Sequence, residues 1–304
     1  MKIKKPDYKK SLRKCIAEPK KKIRLKNFDT EWVTHEALKN SKSEATKDDL
    51  KEILIKDQKK LSETQELLAA SHKYSILIIL QGMDTAGKDG TIRHVMSGVN
   101  PQGCDVHSFK VPTSEDHSHD FLWRYEKSLP ERGRIGIFNR SYYEDVLVVR
   151  VHPDRLEELP AEIGPDTNGF WEARYNDINT FEEHLVRNGT VVLKFFLHIS
   201  KDEQKRRLLD RLSDEEKYWK FSISDIEERR YWDEYISAYE DVLTATSTNH
   251  APWFIVPSDH KWMARTFVAE VITSAIEKLG LSYPVFSEEE IRRFTEAKKL
   301  LENE

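Results

Sequence analysis

Residues 76–91, ILIILQGMDTAGKDGT, constrain the fold more than any other stretch: five apolar residues, then a glycine-bracketed turn that ends in lysine. An uninterrupted apolar run closed by glycine reads as a buried parallel strand, because a strand covered on both faces has no polar side to display. Gly82 and Gly87 bracket four residues before Lys88, the G-x-x-x-x-G-K spacing of a phosphate-binding loop. In such a loop the backbone N–H groups of Met83, Asp84, Thr85, Ala86, Gly87 and Lys88 turn inward. Asp89, Gly90 and Thr91 then open a helix whose N-terminus adds positive potential. Glycine lets the backbone close around a phosphate without a Cβ clash, and the Lys88 ammonium can reach a phosphate oxygen. A chance glycine turn with a solvated lysine is the alternative, but the strand before it and the helix-compatible residues 91–96 after it supply the context the motif requires. One position departs from the ordinary loop: Asp89 stands where a Ser or Thr hydroxyl usually meets magnesium, while Asp84 places a carboxylate inside the loop.

A second chemical centre lies at residues 134–145, RIGIFNRSYYED, where the short strand Ile135 to Phe138 delivers polar residues at its carboxyl end. Ligands bind at that end of parallel α/β sheets. Phosphate-loop enzymes usually carry an Asp there for the hydrated magnesium; here Asn139 occupies the place, followed by Arg140, with Glu144 and Asp145 one helical turn on. Arg140 can neutralise a phosphoryl group in transfer, and Glu144 or Asp145 can restore negative charge for a metal held with Asp84 and Asn139. The plainer reading is a helix start whose acidic residues complement the dipole.

Around these centres the chain alternates strands and helices. Residues 47–74 place Leu50, Ile53, Leu54, Asp57, Leu61, Leu67 and Leu68 near helical spacing, an amphipathic helix packed on the domain. A strand is expected over 105–111, and Ser114 is the expected N-cap of a helix carrying Phe121, Leu122, Tyr125 and Leu129. His117 and His119, two residues apart, fall on different faces of a helix and complete no tetrahedral set, so no structural metal is assigned. Strands over 191–199 and 253–256, and helices over 170–188 and 262–279, follow. Ser200, with Glu203 three residues on, opens a helix bearing Lys205, Arg206, Arg207 and Arg211, read as phosphate-binding cations on a mobile lid at about 200–230; a solvated charge run is the alternative. Aromatic residues between Trp219 and Tyr235 are expected to border the acceptor. Five strands alternating with helices predict a parallel three-layer α/β sandwich.

The 304 residues and 38% hydrophobic content suit one large domain with extensions, here residues 47–304 behind a basic N-terminal extension over 1–46. Cys15 and Cys104 are the only cysteines, so a reducing, cytoplasmic setting is expected, and no stretch is long or apolar enough for a membrane helix or secretory signal. Residues 1–27 hold twelve Lys and Arg against Asp7 and Glu18, a balance of +10 in a chain of net charge −4. A basic arm on an acidic body suits a polyanion, although a solvated tail would look the same. No RNA-recognition aromatic signature, helix-turn-helix or Cys/His finger supports a nucleic-acid partner.

Taken together, QGMDTAGKDGT at 81–91, FNRSYYEDVLV at 138–148, SKDEQKRR at 200–207, YWKFS at 218–222 and TSTNHAPW at 246–253 resemble the polyphosphate kinase 2 family of polyphosphate:nucleotide phosphotransferases, from about Lys47 onward. The resemblance implies a thymidylate-kinase-like phosphate-loop fold with a helical lid. It also implies magnesium-dependent phosphoryl transfer between inorganic polyphosphate and AMP or ADP, yielding ADP and ATP, with manganese able to stand in, and a homo-oligomer, dimer or tetramer. It matches Asp84 to the family's loop aspartate at the metal, Lys88 to the phosphate lysine, and Arg140 to the arginine at the reacting phosphates. Many members carry Asp at position 139 and Asn at 144; Asn139 with Glu144 resembles the subgroup that accepts both AMP and ADP. An ATP-dependent nucleotide kinase on the same fold and a non-catalytic polyphosphate-binding protein are the competing readings.

Overall fold

A computed structural model describes residues 14–31, 47–156, 159–165 and 167–304; the basic residues within 1–13 lie outside the described residues. Among these the sheet has five strands: β1 (Ser75–Gly82), β2 (Cys104–Ser108), β3 (Ile135–Asn139), β4 (Thr190–His198) and β5 (Trp253–Pro257), all parallel and ordered β2-β3-β1-β4-β5. β1 sits at the centre, and every one of its residues is buried. That burial explains its unbroken apolar sequence.

The chain between strands folds into α1 (Lys47–Ser71), α2 (Lys88–Val95), α3 (Trp123–Glu126), α4 (Glu144–Val151), α5 (Phe170–Arg187), α6 (Lys201–Leu212), α7 (Ile223–Glu228), α8 (Trp232–Thr246), α9 (Lys261–Glu277) and α10 (Glu288–Glu302). α9 packs with α1 and α2, while α8 packs with α4 and α5, giving the expected three layers. Leu54, Leu61 and Leu68 recur every seventh residue along the buried stripe of α1. α10 follows a Ser287 capping box, yet all its residues are exposed.

Register sets the site. β1 pairs with β3 so that Leu80 is level with Asn139, and with β4 so that Gly82 is level with Leu197. A Cβ at Gly82 would stand 2.9 Å from the Leu197 carbonyl oxygen, so a side chain there would force the loop off the sheet. The start of the phosphate loop and the polar end of β3 therefore share one edge of the sheet, their carboxyl ends.

Three local expectations shift. β2 ends at Ser108, leaving Phe109 to Val111 as loop, with the Phe109 N–H on the Asn139 carbonyl at 3.2 Å. Thr113 rather than Ser114 caps the next turn: its hydroxyl accepts from the Asp116 N–H at 3.2 Å, and the helix beyond is the single turn of α3. Residues 215–246 form a 3₁₀ turn, α7, a second 3₁₀ turn and then α8, because Ser222 turns its hydroxyl onto the Ser224 N–H and starts a new helix.

Residues 14–31 run along the outer edge of the sheet. The Ala17 N–H donates to the Trp253 carbonyl at 2.9 Å and the Ile255 N–H to the Cys15 carbonyl at 2.7 Å, while Ile23 and Leu25 are buried. The second half of the basic segment thus covers the free edge of β5.

Candidate active site

β1 leads directly into the loop at 82–88, whose turn uses left-handed backbone at Thr85 (φ +63°) and Gly87 (φ +107°) before α2 begins at Lys88. The Lys88 ammonium folds back over the loop and donates to the carbonyls of Gly82 at 2.6 Å and Met83 at 3.3 Å. Burial, then the positive charge of Arg140, holds its pKa below the usual lysine value. A phosphate oxygen arriving here would meet an ammonium that is underpaired and short of water.

Arg140 is placed by strain. It follows β3 with φ +66°, an arrangement that costs a non-glycine residue about 1–3 kcal/mol. Its N–H still donates to the Leu80 carbonyl at 3.1 Å, so the backbone stays pinned to β1 while the side chain turns into the site. There its Nη2 lies 3.5 Å from Asp84 Oδ1. Glu144 first, and Asp84 after the opposing effect of burial, hold the guanidinium firmly protonated. Glu144, at the first position of α4, has its pKa raised by burial, against the pull of Arg140 and Lys88.

Asp145 accepts from the Tyr125 hydroxyl at 3.1 Å; burial and then the Asp145 charge push that phenol well above its ordinary value, so it remains a donor. Asn139 donates through Nδ2 to Asp89 Oδ1 at 2.6 Å and to Ser108 Oγ at 3.3 Å. Because a carboxylate can only accept, this bond fixes the amide orientation and leaves the buried Asn139 Oδ1 with no partner. The Thr85 hydroxyl oxygen is likewise buried and unsatisfied.

The lysine and arginines of α6 divide. Arg207 is buried, and its guanidinium donates to the carbonyls of Thr85, Ala86 and Asp259 at 3.0 Å, to that of Ser258 at 2.5 Å and to Glu203 at 2.7 Å. It grips the back of the phosphate loop. Arg206 points outward to Glu203 and Asp210, Lys205 is exposed, and Arg211 donates to the Lys220 carbonyl and Asp225. None of the four borders the cleft.

That cleft, about 1110 Å³, is lined by Gly82, Asp84, Lys88 and Arg140, by Glu144 and Asp145, and also by Arg124 and Arg155. Residues that the motifs do not single out line it as well. Arg229 donates to Gln204 Oε1 at 2.7 Å, and Gln204 donates to the Asp84 carbonyl at 3.1 Å, connecting α7 to the loop. Asp225 faces the same cleft, its pKa raised by burial and by the charge of Asp84. Gln204 falls within the SKDEQKRR stretch at 200–207, whereas for Arg229 and Asp225 the one sequence signal is the pair of basic residues at 229 and 230.

Among the described residues no group of three or more His, Cys, Asp or Glu could hold a metal ion by itself. The oxygen donors are Asp84 and Asp145, which line the cleft, and the unpartnered Asn139 Oδ1, which does not line it. Such a set fits magnesium, which binds through one or two carboxylates together with substrate phosphates and water.

Residues 44–282 match the family model described as polyphosphate kinase 2. The chain belongs to the polyphosphate kinase 2 family. It is 53% identical over 240 residues to the ADP-polyphosphate phosphotransferase of Rhodopseudomonas palustris, covering 79% of this chain and 83% of that one. It is 42% identical over 273 residues to the AMP/ADP-polyphosphate phosphotransferase of Meiothermus ruber, covering 90% and 96%. The crystal structure of polyphosphate kinase 2 from Arthrobacter aurescens superposes with a TM-score of 0.75 at 43% identity over 82% of this chain and 87% of that one. As a polyphosphate kinase 2 chain, the protein is a phosphotransferase built on the phosphate-loop kinase fold.

Proposed function

We propose that this polyphosphate kinase transfers the terminal phosphoryl group of inorganic polyphosphate to AMP and to ADP, giving ADP and ATP, in a reversible reaction that requires magnesium, with manganese able to substitute. The observation that carries the reading is the convergence of Lys88, Arg140 and Asp84 in one cleft of about 1110 Å³. Relatives named for AMP and ADP acceptors support the substrate class.

In this reading the loop N–H groups and Lys88 hold the end of the donor chain, and Arg140 bridges donor and acceptor phosphates. A terminal phosphate oxygen of the nucleotide attacks the end phosphorus of the chain. The new P–O bond forms as the bond from that phosphorus to the bridging oxygen breaks, and the shortened chain leaves with the bridging oxygen and the electron pair of the broken bond. No side chain becomes phosphorylated; the protein positions the two anions and neutralises charge in a site that excludes water. Magnesium, when bound, would offset the phosphate charge, and Asp84, Asp145 and Asn139 are the residues that would hold it.

Residues 47–304 act as one catalytic domain in this account, with 200–230 as its lid. A homo-oligomer is what the family resemblance implies, and a cytoplasmic setting is what the two cysteines suggest; among the described residues no helix is long and apolar enough to cross a membrane. The test is to supply purified protein with long-chain polyphosphate, magnesium and either AMP or ADP, with no ATP present. Conversion of both nucleotides supports the proposal, conversion of ADP alone narrows the acceptor, and transfer that occurs only from added ATP overturns it.

A further inference from the structure

α7 has no buried residue, yet it brings Ser224, Asp225 and Glu228 to the cleft. A helix of six residues is not stable by itself, and without a core-facing stripe its place depends on polar anchors. Two of these stay within residues 200–230. Arg211 of α6 donates to Asp225 at 3.3 Å, and Arg229 donates to the Lys201 carbonyl and to Gln204 Oε1, each at 2.7 Å. The third leaves that segment. Glu228, the last residue of α7, accepts through Oε2 from His152 Nε2 and from the Tyr235 hydroxyl, both at 2.8 Å, and through Oε1 from Arg155 Nη2 at 3.0 Å.

These bonds join α7 to the far end of α4. That helix opens with Glu144 and Asp145 in the site and ends at its cap residue His152, which does not itself line the cleft. The His152 and Glu228 side chains are only 13% and 19% exposed, so the pair is shielded from the water that makes surface ion pairs weak. Burial would raise the Glu228 carboxyl, but the bonds from His152 and Tyr235 outweigh it and hold it below the usual value. Tyr235 lines the cleft, and burial, then its bond to Glu228, raises the phenol, so it remains a donor. All three partners therefore donate to one ionised carboxylate.

We propose that Glu228 is a positioning residue for the acceptor: its three bonds latch the end of α7 to the end of α4 and so keep the cleft-facing Asp225 and Arg229 where the nucleotide is received. The proposal rests on AMP and ADP being the acceptors. The donor end is held by the loop N–H groups and Lys88, which the latch does not touch. Unlatching therefore weakens acceptor binding, because only molecules with α7 in place are competent to bind. At saturating nucleotide, binding itself restores that arrangement and turnover is retained.

The experiment compares the wild type with Glu228→Ala, His152→Leu and the two combined. Initial rates are measured over ADP at saturating polyphosphate and over polyphosphate at saturating ADP, alongside hydrogen exchange and urea unfolding of the free proteins. If Glu228→Ala leaves about one molecule in ten with α7 in place, KM for ADP rises about tenfold while kcat and KM for polyphosphate stay within about twofold. His152→Leu removes one of the three bonds from outside the cleft and should raise the same KM by a smaller factor. Added to Glu228→Ala it should change nothing further, because the two residues act through one contact. Amides of residues 223–231 should exchange faster in each variant, and those of β1 at the wild-type rate. An unchanged KM for ADP in His152→Leu, additive effects in the combined variant, or equal rises in both KM values would overturn the latch. So would a lower kcat with a lower urea midpoint and no change in KM, which marks a structural role alone. If exchange over 223–231 rises in the variants while the wild type phosphorylates neither AMP nor ADP, the acceptor reading fails and the latch stands.

Discussion

The Arg207 guanidinium donates to the Ala86 carbonyl at 3.0 Å and holds the neighbouring Thr85 carbonyl with the same nitrogen. With these carbonyls drawn outward, the N–H groups of the loop face the phosphate. A residue read from sequence as a phosphate-binding lid cation therefore sits where it can shape the loop instead. Arg207→Lys keeps the charge but cannot reach four carbonyls and Glu203 at once. Both Arg207→Lys and Arg207→Gln are expected to lose about 10²-fold in turnover, the scale of a small misplacement of reacting groups. Substantial rescue by lysine would return Arg207 to direct phosphate contact.

Beneath Arg140 and Glu144 lies a buried network. Lys194, wholly buried on β4, donates to Glu182 at 2.6 Å, to the Tyr143 hydroxyl at 3.0 Å and to the Thr246 carbonyl at 2.7 Å, while Tyr142 and Tyr143 both donate to Glu182. The two tyrosines join the strained Arg140 to α4. Glu182→Ala leaves a buried ammonium without its counter-charge and should cost about 3–5 kcal/mol in urea unfolding. Lys194→Met combined with Glu182→Gln should recover a large part of that loss. A double variant as unstable as the single one would show that packing, not charge pairing, dominates the network.

The lowered Lys88 pKa has a pH signature. In the free enzyme the ammonium loses its proton at a lower pH than an ordinary lysine, so kcat/KM should fall on an alkaline limb below that value. Bound phosphates favour the charged form and raise the pKa again, so the limb in kcat should lie at higher pH. Coincident limbs in the two profiles would remove Lys88 from phosphate contact.

Acceptor range is expected to depend on Asn139 and Glu144. Asn139 donates to Asp89 at 2.6 Å, so Asn139→Asp would set two carboxylates face to face and open the junction between α2 and β3. Glu144, at the first position of α4, stands close enough for its charge to bear on both Arg140 and Lys88. AMP is one phosphate shorter than ADP and must be drawn nearer the donor, a geometric demand whose loss can cost about 10²-fold. The exchange Asn139→Asp with Glu144→Asn should reduce AMP phosphorylation far more than ADP phosphorylation. An unchanged ratio would move the choice to α7 and Arg229.

The five strands, their parallel arrangement and the polar end of β3 were legible because each rests on a sequence signal: apolar runs, alternation with helices and a polar strand end, whereas the order β2-β3-β1-β4-β5 comes from the structure. The partition of the α6 cations was not. Lys205, Arg206, Arg207 and Arg211 look alike in sequence, and only packing decides that Arg207 turns inward while Arg206 pairs with Glu203 and Asp210. Arg229 escaped notice for a related reason: it enters the cleft at a break between short helices that periodicity merges into one, while Gln204 and Asp225 reach it from within α6 and α7. The segment at 14–27 reads as a charged arm because it carries six Lys and Arg against Glu18 alone, yet buried Ala17, Ile23 and Leu25 anchor it.

The most direct measurement is phosphorus NMR of ADP, magnesium and long-chain polyphosphate incubated with the wild type and with Lys88→Ala. With the wild type, the γ-phosphate signal of ATP should grow as polyphosphate is consumed in equal amount, without free phosphate. With Lys88→Ala, of unchanged circular dichroism, the rate should fall by about 10²-fold or more, the cost of removing one preorganised charge. Release of free phosphate without ATP, or a near-normal rate in the variant, would contradict the account.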